Sequence, residues 1–217
     1  MEKHLKNNYR YERKYVFHKT MLPALMSELY SNGFSTLYPE RKINNIYLDT
    51  HDFRSVQENI DGISDRIKHR IRWYGNCFNQ SEKIYEQKIK SEFVGKKKIN
   101  KLGQFKLSSF DDVNQILNKV DKSFFKTDLK PTLYNSYSRK YFAGFDKKIR
   151  ITLDNSLFFY SPLTKNKFYE NKIILEIKYD QDHLFLNEFK MQQNLTKYSK
   201  YVKGISQTTF YKSVYIS

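Results

Sequence analysis

The chain has 217 residues, 39% hydrophobic and 17% aromatic, with 39 Lys+Arg against 23 Asp+Glu for a formal net charge of +16. The aromatic side chains supply enough apolar area for a packed core and exclude a disordered chain, and the single cysteine, Cys77, excludes an internal disulfide and a cysteine-based metal cluster. The charge excess calls for a polyanionic partner: nucleic acid, an acidic membrane or a phosphorylated small molecule.

No run of the sequence is long and apolar enough to cross a membrane, and the first ten residues lack the apolar centre of a signal peptide, so a cytoplasmic chain is expected. No linker rich in Ser, Gly and Pro interrupts it, and residues 1–217 read as a single domain.

In chain order, "YRYERKYVF" alternates strictly, with Tyr9, Tyr11, Tyr15 and Phe17 on one side and Arg10, Glu12 and Lys14 on the other. "KTMLPALMSELYSNG" breaks that period with a helical stripe of Leu22, Leu25, Met26 and Leu29, ended by Gly33. "NNIYLDT" sets Ile46 and Leu48 against Tyr47 and Asp49. "DRIKHRIRWYG" follows, with Arg66, Lys68, Arg70 and Arg72 on one face and Ile67, Ile71 and Trp73 on the other. "KIYEQKIK" opposes Glu86 and Lys88 to Tyr85, Gln87 and Ile89. The basic tract "GKKKINK" reads as a connection or an edge strand. A second helix is expected over "SSFDDVNQILNKV". "YNSYSRKYF" places Tyr137 and Arg139 together, "KKIRITLD" places Lys148, Arg150, Thr152 and Asp154 together, and "KIILEIKYD" sets Glu176 and Lys178 against Leu175, Ile177 and Tyr179. A third helix is expected near Leu184 to Leu195 and a fourth near the C-terminus.

One such strand is ordinarily half-solvated. Several strands whose polar faces repeat Glu-x-Lys and Arg-x-Arg rather than Ser, Asn or Gln point instead to a closed antiparallel β-barrel. Its charged faces would turn inward and helices would pack around the outside, an α+β architecture. A positive interior of that density needs an anion to fill it. Trp73, Tyr11 and Tyr15 alternate away from the charges, which counts against base stacking and hence against a specific nucleic-acid partner.

These segments, "YRYERKYVF", "NNIYLDT", "RIKHRIRWYG", "IYEQKIK", "YSRKYF", "IRITLD", "ILEIKYD" and "KYSKYVKGI", arrive in the order and spacing of the vacuolar transporter chaperone (VTC) polyphosphate polymerase domain. The chain resembles that family, a branch of the triphosphate tunnel metalloenzymes, from about Tyr9 to about Ile205. The resemblance implies a tunnel whose cations grip polyphosphate or a nucleoside triphosphate, with a divalent metal held by carboxylates. Residue by residue, it implies tunnel cations at Lys14, Arg70, Arg72, Lys88, Arg139, Arg150 and Lys200, one more among Lys96, Lys97 and Lys98, and a tunnel tyrosine at Tyr137. The implied metal ligands are Glu176, with Glu12 and Glu86 beside it, and the ion is Mn²⁺ or Mg²⁺.

The implied activity is transfer of the ATP γ-phosphate to a growing polyphosphate chain. Hydrolysis of a triphosphate in the same tunnel, and polyphosphate or nucleotide binding without catalysis, are the alternatives. The chain departs from many tunnel enzymes in carrying Arg10 where they carry a first glutamate, which argues against a two-metal hydrolase. No phosphate-sensing or membrane module like those joined to the eukaryotic polymerase is expected in this chain; a monomer or weak oligomer is expected, with a membrane protein among the candidate partners. No P-loop and no Ser-His-Asp or Cys-His pattern is present, and His4, His18, His51, His69 and His183 are scattered.

Overall fold

The structure is a computed structural model, described here for residues 11–91, 94–109, 112, 128–145, 148–179 and 194–210. Strands dominate, as the period-two patterning requires. They are β1 (Tyr11–His18), β2 (Ser35–Asp49), β3 (Arg66–Tyr74), β4 (Ser81–Ser91), β5 (Val94–Phe105), β6 (Lys130–Ala143), β7 (Arg150–Tyr160), β8 (Lys167–Glu170) and β9 (Lys172–Tyr179). The helices are α1 (Leu22–Ser31), α2 (Arg54–Ile60) and α3 (Lys200–Thr208). The helices expected over 108–120 and 184–195 lie almost wholly outside the described residues.

The strands form one sheet in the order β1-β9-β7-β6-β2-β3-β4-β5, with β8 added on β7. The closed barrel expected from the sequence is not what this hydrogen-bonded order gives, because it ends at β1 and β5. Each end is protected in its own way. Lys96, Lys97, Lys98 and Lys101 make β5 a charged edge. Along the free side of β1, Tyr15 bridges Leu195 and the Thr196 amide donates to the Lys14 carbonyl at 2.9 Å.

By its contacts the chain falls into two compact units, the first of residues 1–40, 139–155 and 171–198 and the second of residues 41–138, 156–170 and 199–217. In the first unit β1, β9 and β7 turn Tyr15, Phe17, Ile151, Leu153, Ile173, Leu175 and Ile177 to one side, where Leu25 and Leu29 of α1 complete the core. Gly33 stops α1 at φ +76°, a left-handed conformation that costs a residue without a β-carbon little.

In the second unit the apolar side holds Ile46, Leu48, Ile71, Trp73, Tyr85 and Tyr134. Helix α2, absent from the sequence-based expectations, has no apolar stripe and buries only Ser55 and Val56. Its start is secured from the end of β2, where Asp49 accepts the amides of Thr50 (2.9 Å) and Ser55 (3.0 Å). Helix α3, the expected C-terminal helix, is capped by the Ser199 hydroxyl, which accepts the Val202 amide. Among the described residues no helix is long and apolar enough to cross a membrane.

Candidate functional site

Ladder register, not periodicity alone, fixes which side chains share a face. In the second unit Arg70 pairs with Tyr47 and Glu86, Arg72 with Asn45 and Ile84, Lys68 with Lys88, and Lys88 in turn with Lys97. Arg66, Lys68, Arg70, Arg72, Glu86, Lys88 and Lys97 therefore lie on one side of β3, β4 and β5. The other side carries Ile71, Trp73 and Tyr85, all with no exposed surface.

Around Arg72 and Glu86 this charged face is not a solvated one. Arg72 is 7% exposed and Glu86 3%, although the opposite face of the same strands is core. Glu86 is the hub of the cluster. Its Oε2 accepts from Arg70 at 2.6 Å and lies 3.8 Å from Arg72, while its Oε1 accepts from Lys97 at 3.0 Å. Burial would raise the Glu86 pKa, but Arg70, Arg72 and Lys97 outweigh it and hold the carboxyl at about 2. Arg72 donates further to Asn45 Oδ1 at 2.8 Å and to the Tyr137 hydroxyl at 3.2 Å, and the Lys200 ammonium sits 4.7 Å from the Tyr137 ring centre. Of the three adjacent lysines of β5, Lys97 is the one that joins the cluster. Lys88 shares the face and is exposed.

Three cations against one carboxylate leave this cluster with two surplus positive charges. Glu86 spends its lone pairs on those cations. Both of its oxygens are paired with cations, as are those of Glu12 and Glu176 in the first unit.

In the first unit Lys14 pairs across the ladder with Glu176, and Glu12 with Lys178. Lys14 reaches Glu12 at 2.8 Å and Glu176 at 3.7 Å; Lys178 reaches Glu176 at 3.0 Å and Glu12 at 3.6 Å. Two ammoniums and two carboxylates thus close a neutral ring. Burial opposes ionisation of Glu176, but Lys14, Lys178 and Arg139 keep its pKa well below the usual carboxylate range. Thr152, the register partner of Glu176 on β7, has a buried hydroxyl without a hydrogen-bond partner among the described residues. Arg139 makes a two-pronged pair with the buried Asp154, at 2.5 and 2.7 Å. Arg150 lies at the exposed start of β7, paired in register with Lys178.

For a divalent cation, Glu176, Glu12 and the orphaned Thr152 hydroxyl offer hard oxygen donors on one face, which suits Mg²⁺ or Mn²⁺. Among the described residues no three His, Cys, Asp or Glu side chains gather tightly enough to form an all-protein cage, so an ion held there would complete its shell with phosphate and water.

His69 is buried on the face away from Arg70, with Nδ1 2.7 Å from the Tyr85 hydroxyl, and takes no part in either cluster. The sequence reading passed over Asn45 and Asn135, whose amides join at 2.8 Å. The available signal was asparagine inside "NNIYLDT" and "YNSYSRK", in strand interiors where that residue is disfavoured.

A family model described as "VTC domain" matches residues 9–209. A comparison with curated proteins returns no match. Among solved structures, a candidate adenylate cyclase from Vibrio parahaemolyticus superposes with a TM-score of 0.52 at 12% identity, over 89% of this chain and 95% of that one. A candidate adenylyl cyclase from Hippeastrum, described as having a dominant triphosphatase activity, gives a TM-score of 0.49 at 11% identity over 91% and 97%. For the Vibrio parahaemolyticus structure, at that identity, the likeness is one of fold.

Proposed function

Because this chain belongs to the VTC-domain family, we propose that it is a phosphotransferase that moves the γ-phosphate of ATP onto a growing polyphosphate chain. The observation that carries this reading is the surplus of positive charge around Glu86, from the largely buried Arg70 and Arg72 and the exposed Lys97, which an oxyanion would neutralise. A terminal oxygen of the acceptor chain attacks the γ-phosphorus, the bond from that phosphorus to the bridging oxygen breaks, and ADP leaves. Such a reaction asks the protein for positioning and charge compensation more than for a covalent nucleophile.

Arg70 and Arg72 bind phosphoryl oxygens through the guanidinium hydrogens that Glu86 and Asn45 leave over. Lys88 and Lys97 add charge beside them, and Tyr137 and Lys200 steady the same region. Arg139 and Arg150 serve as further cations, the former oriented by Asp154. Glu176 and Glu12 are the side chains that would hold Mn²⁺ or Mg²⁺, with Lys14 setting their spacing. A bound divalent ion supplies positive charge against the oxygens of the transferred phosphoryl group. On this reading the chain works as one domain in the cytoplasm, as a monomer or weak oligomer, with a membrane protein as its candidate partner.

The test is to incubate purified protein with ATP and Mn²⁺ and run the products on a gel that resolves phosphate chains. A ladder of lengthening chains is expected. Free phosphate alone would identify a triphosphatase, and no turnover with any divalent metal would leave a binding module.

A further inference from the structure

Arg72, Asn45 and Asn135 form a relay within the second unit. Arg72 Nε donates to Asn45 Oδ1 at 2.8 Å, and Asn45 Nδ2 donates to Asn135 Oδ1 at 2.8 Å. A guanidinium can only donate, so the oxygen of Asn45 must face Arg72 and its NH₂ must face Asn135. Asn135 must then present its own oxygen to Asn45, which turns its NH₂ away. One donor-only side chain thereby fixes both amides, a choice that electron density seldom makes by itself.

The NH₂ of Asn135 has no hydrogen-bond acceptor among the described residues, and Asn135 has no exposed surface. A buried donor left unmet costs free energy, and native proteins rarely carry one without a reason. Tyr137, two residues along β6 and on the same face, already receives Arg72, and Lys200 lies against the Tyr137 ring. What this position lacks is an acceptor, and an anionic one is favoured by the cations beside it.

We infer that Asn135 is a ligand-binding residue whose side-chain NH₂ donates to a phosphoryl oxygen held by Arg72, and that Asn45 is the positioning residue that sets its polarity. The inference rests on the phosphate-transfer reading above. An amide adds two directed donors without further charge, in a cluster that already carries more positive than negative groups.

The experiment titrates tripolyphosphate into the full chain by calorimetry and follows side-chain amides by ¹⁵N NMR. Asn135→Asp removes both donors but still offers Asn45 an acceptor, so Arg72 keeps its orientation; Asn135→Leu removes the donors without adding charge. Both variants are expected to bind tripolyphosphate about 10- to 100-fold more weakly, the range for lost hydrogen bonds to a charged group. In the unaltered protein the Asn135 NH₂ resonances, assigned by their loss in the Asp variant, should shift saturably with the ligand. If Asn135→Leu does not fold, the Asp variant and the NMR shift decide. Wild-type affinity in the variants, or an Asn135 NH₂ unmoved at saturation, would overturn the inference alone and give the amide to water. A wild-type protein that binds no tripolyphosphate would sink the phosphate-transfer reading as well, a result distinct from the first.

Discussion

Glu176 and His69 show how much a single environment decides. Glu176 sits 3.0 Å from Lys178 and 3.7 Å from Lys14, so its charge is already compensated without a ligand. If it also serves a divalent ion, Glu176→Gln should cut metal-dependent turnover about 100-fold or more, while tripolyphosphate binding without metal persists. Full metal-dependent activity in that variant would remove Glu176 from the site; a melting curve distinguishes lost chemistry from lost fold. His69 makes a different prediction. Burial pulls its pKa from 6.5 to about 4, against partial opposition from Asp49. The unfolded chain therefore takes up a proton at a higher pH than the folded one. Stability conferred by neutral His69 is complete above about pH 6.5 and disappears as pH falls to about 4, a loss of roughly 3 kcal/mol. Urea unfolding across that window should flatten in His69→Phe. Glu86, held at about 2 from an ordinary 4.5, begins to lose its contribution only below about pH 4.5, so the two windows overlap only between about 4.5 and 4.

Helix α3 illustrates what one small residue does for an element. A β-carbon on Gly204 would stand 2.4 Å from Leu133 Cδ2 and 2.6 Å from Phe159 Cδ1, and both of those side chains are fully buried. Alanine ordinarily favours a helix over glycine by about 1 kcal/mol. Here the overlap, worth about 1–3 kcal/mol when a packed core is overfilled, outweighs that gain. Gly204→Ala should lower the unfolding midpoint, and a rise would mean that Leu133 and Phe159 yield freely. The same helix holds Tyr201, which donates to Asp49 Oδ2 at 2.8 Å and stacks on Tyr47 at 4.6 Å. Asp49 thus ties α3 and the start of α2 to the end of β2. At the edge of the sheet, β5 uses lysines that discourage strand addition, and one of them, Lys97, also belongs to the cluster on Glu86.

For the molecule as a whole, the net charge of +16 predicts attraction to any polyanion, and this alone does not discriminate among them. Discrimination should come from the number of phosphoryl groups that meet fixed cations. Calorimetry with phosphate, pyrophosphate, tripolyphosphate and ATP should show affinity rising with phosphate number. Added salt should weaken every member, since screening acts on all exposed charges. Equal affinities across the series would contradict a site built for chains of phosphate.

Alternation in "RIKHRIRWYG" and "KIYEQKIK" was enough to assign the faces of β3 and β4, because a strand's side-chain period is two regardless of its neighbours. The order of such segments was enough for the family, and the stripe ending at Gly33 for α1. Helix α2 was not legible: it is seven residues long, lacks a stripe and starts on hydrogen bonds from Asp49. Nor could periodicity choose among Lys96, Lys97 and Lys98, since the choice depends on the register of β5 against β4. The open order of the sheet likewise depends on which strands pair, and that is a long-range property. The partnership of Glu86 with Arg70, Arg72 and Lys97 joins three strands, and the relay from Arg72 through Asn45 to Asn135 joins residues up to 90 apart in the chain. Residue type and spacing decide what a strand can present, while only the folded sheet decides which groups meet, because hydrogen bonds and ion pairs act over a few ångströms of space and take no account of distance along the chain.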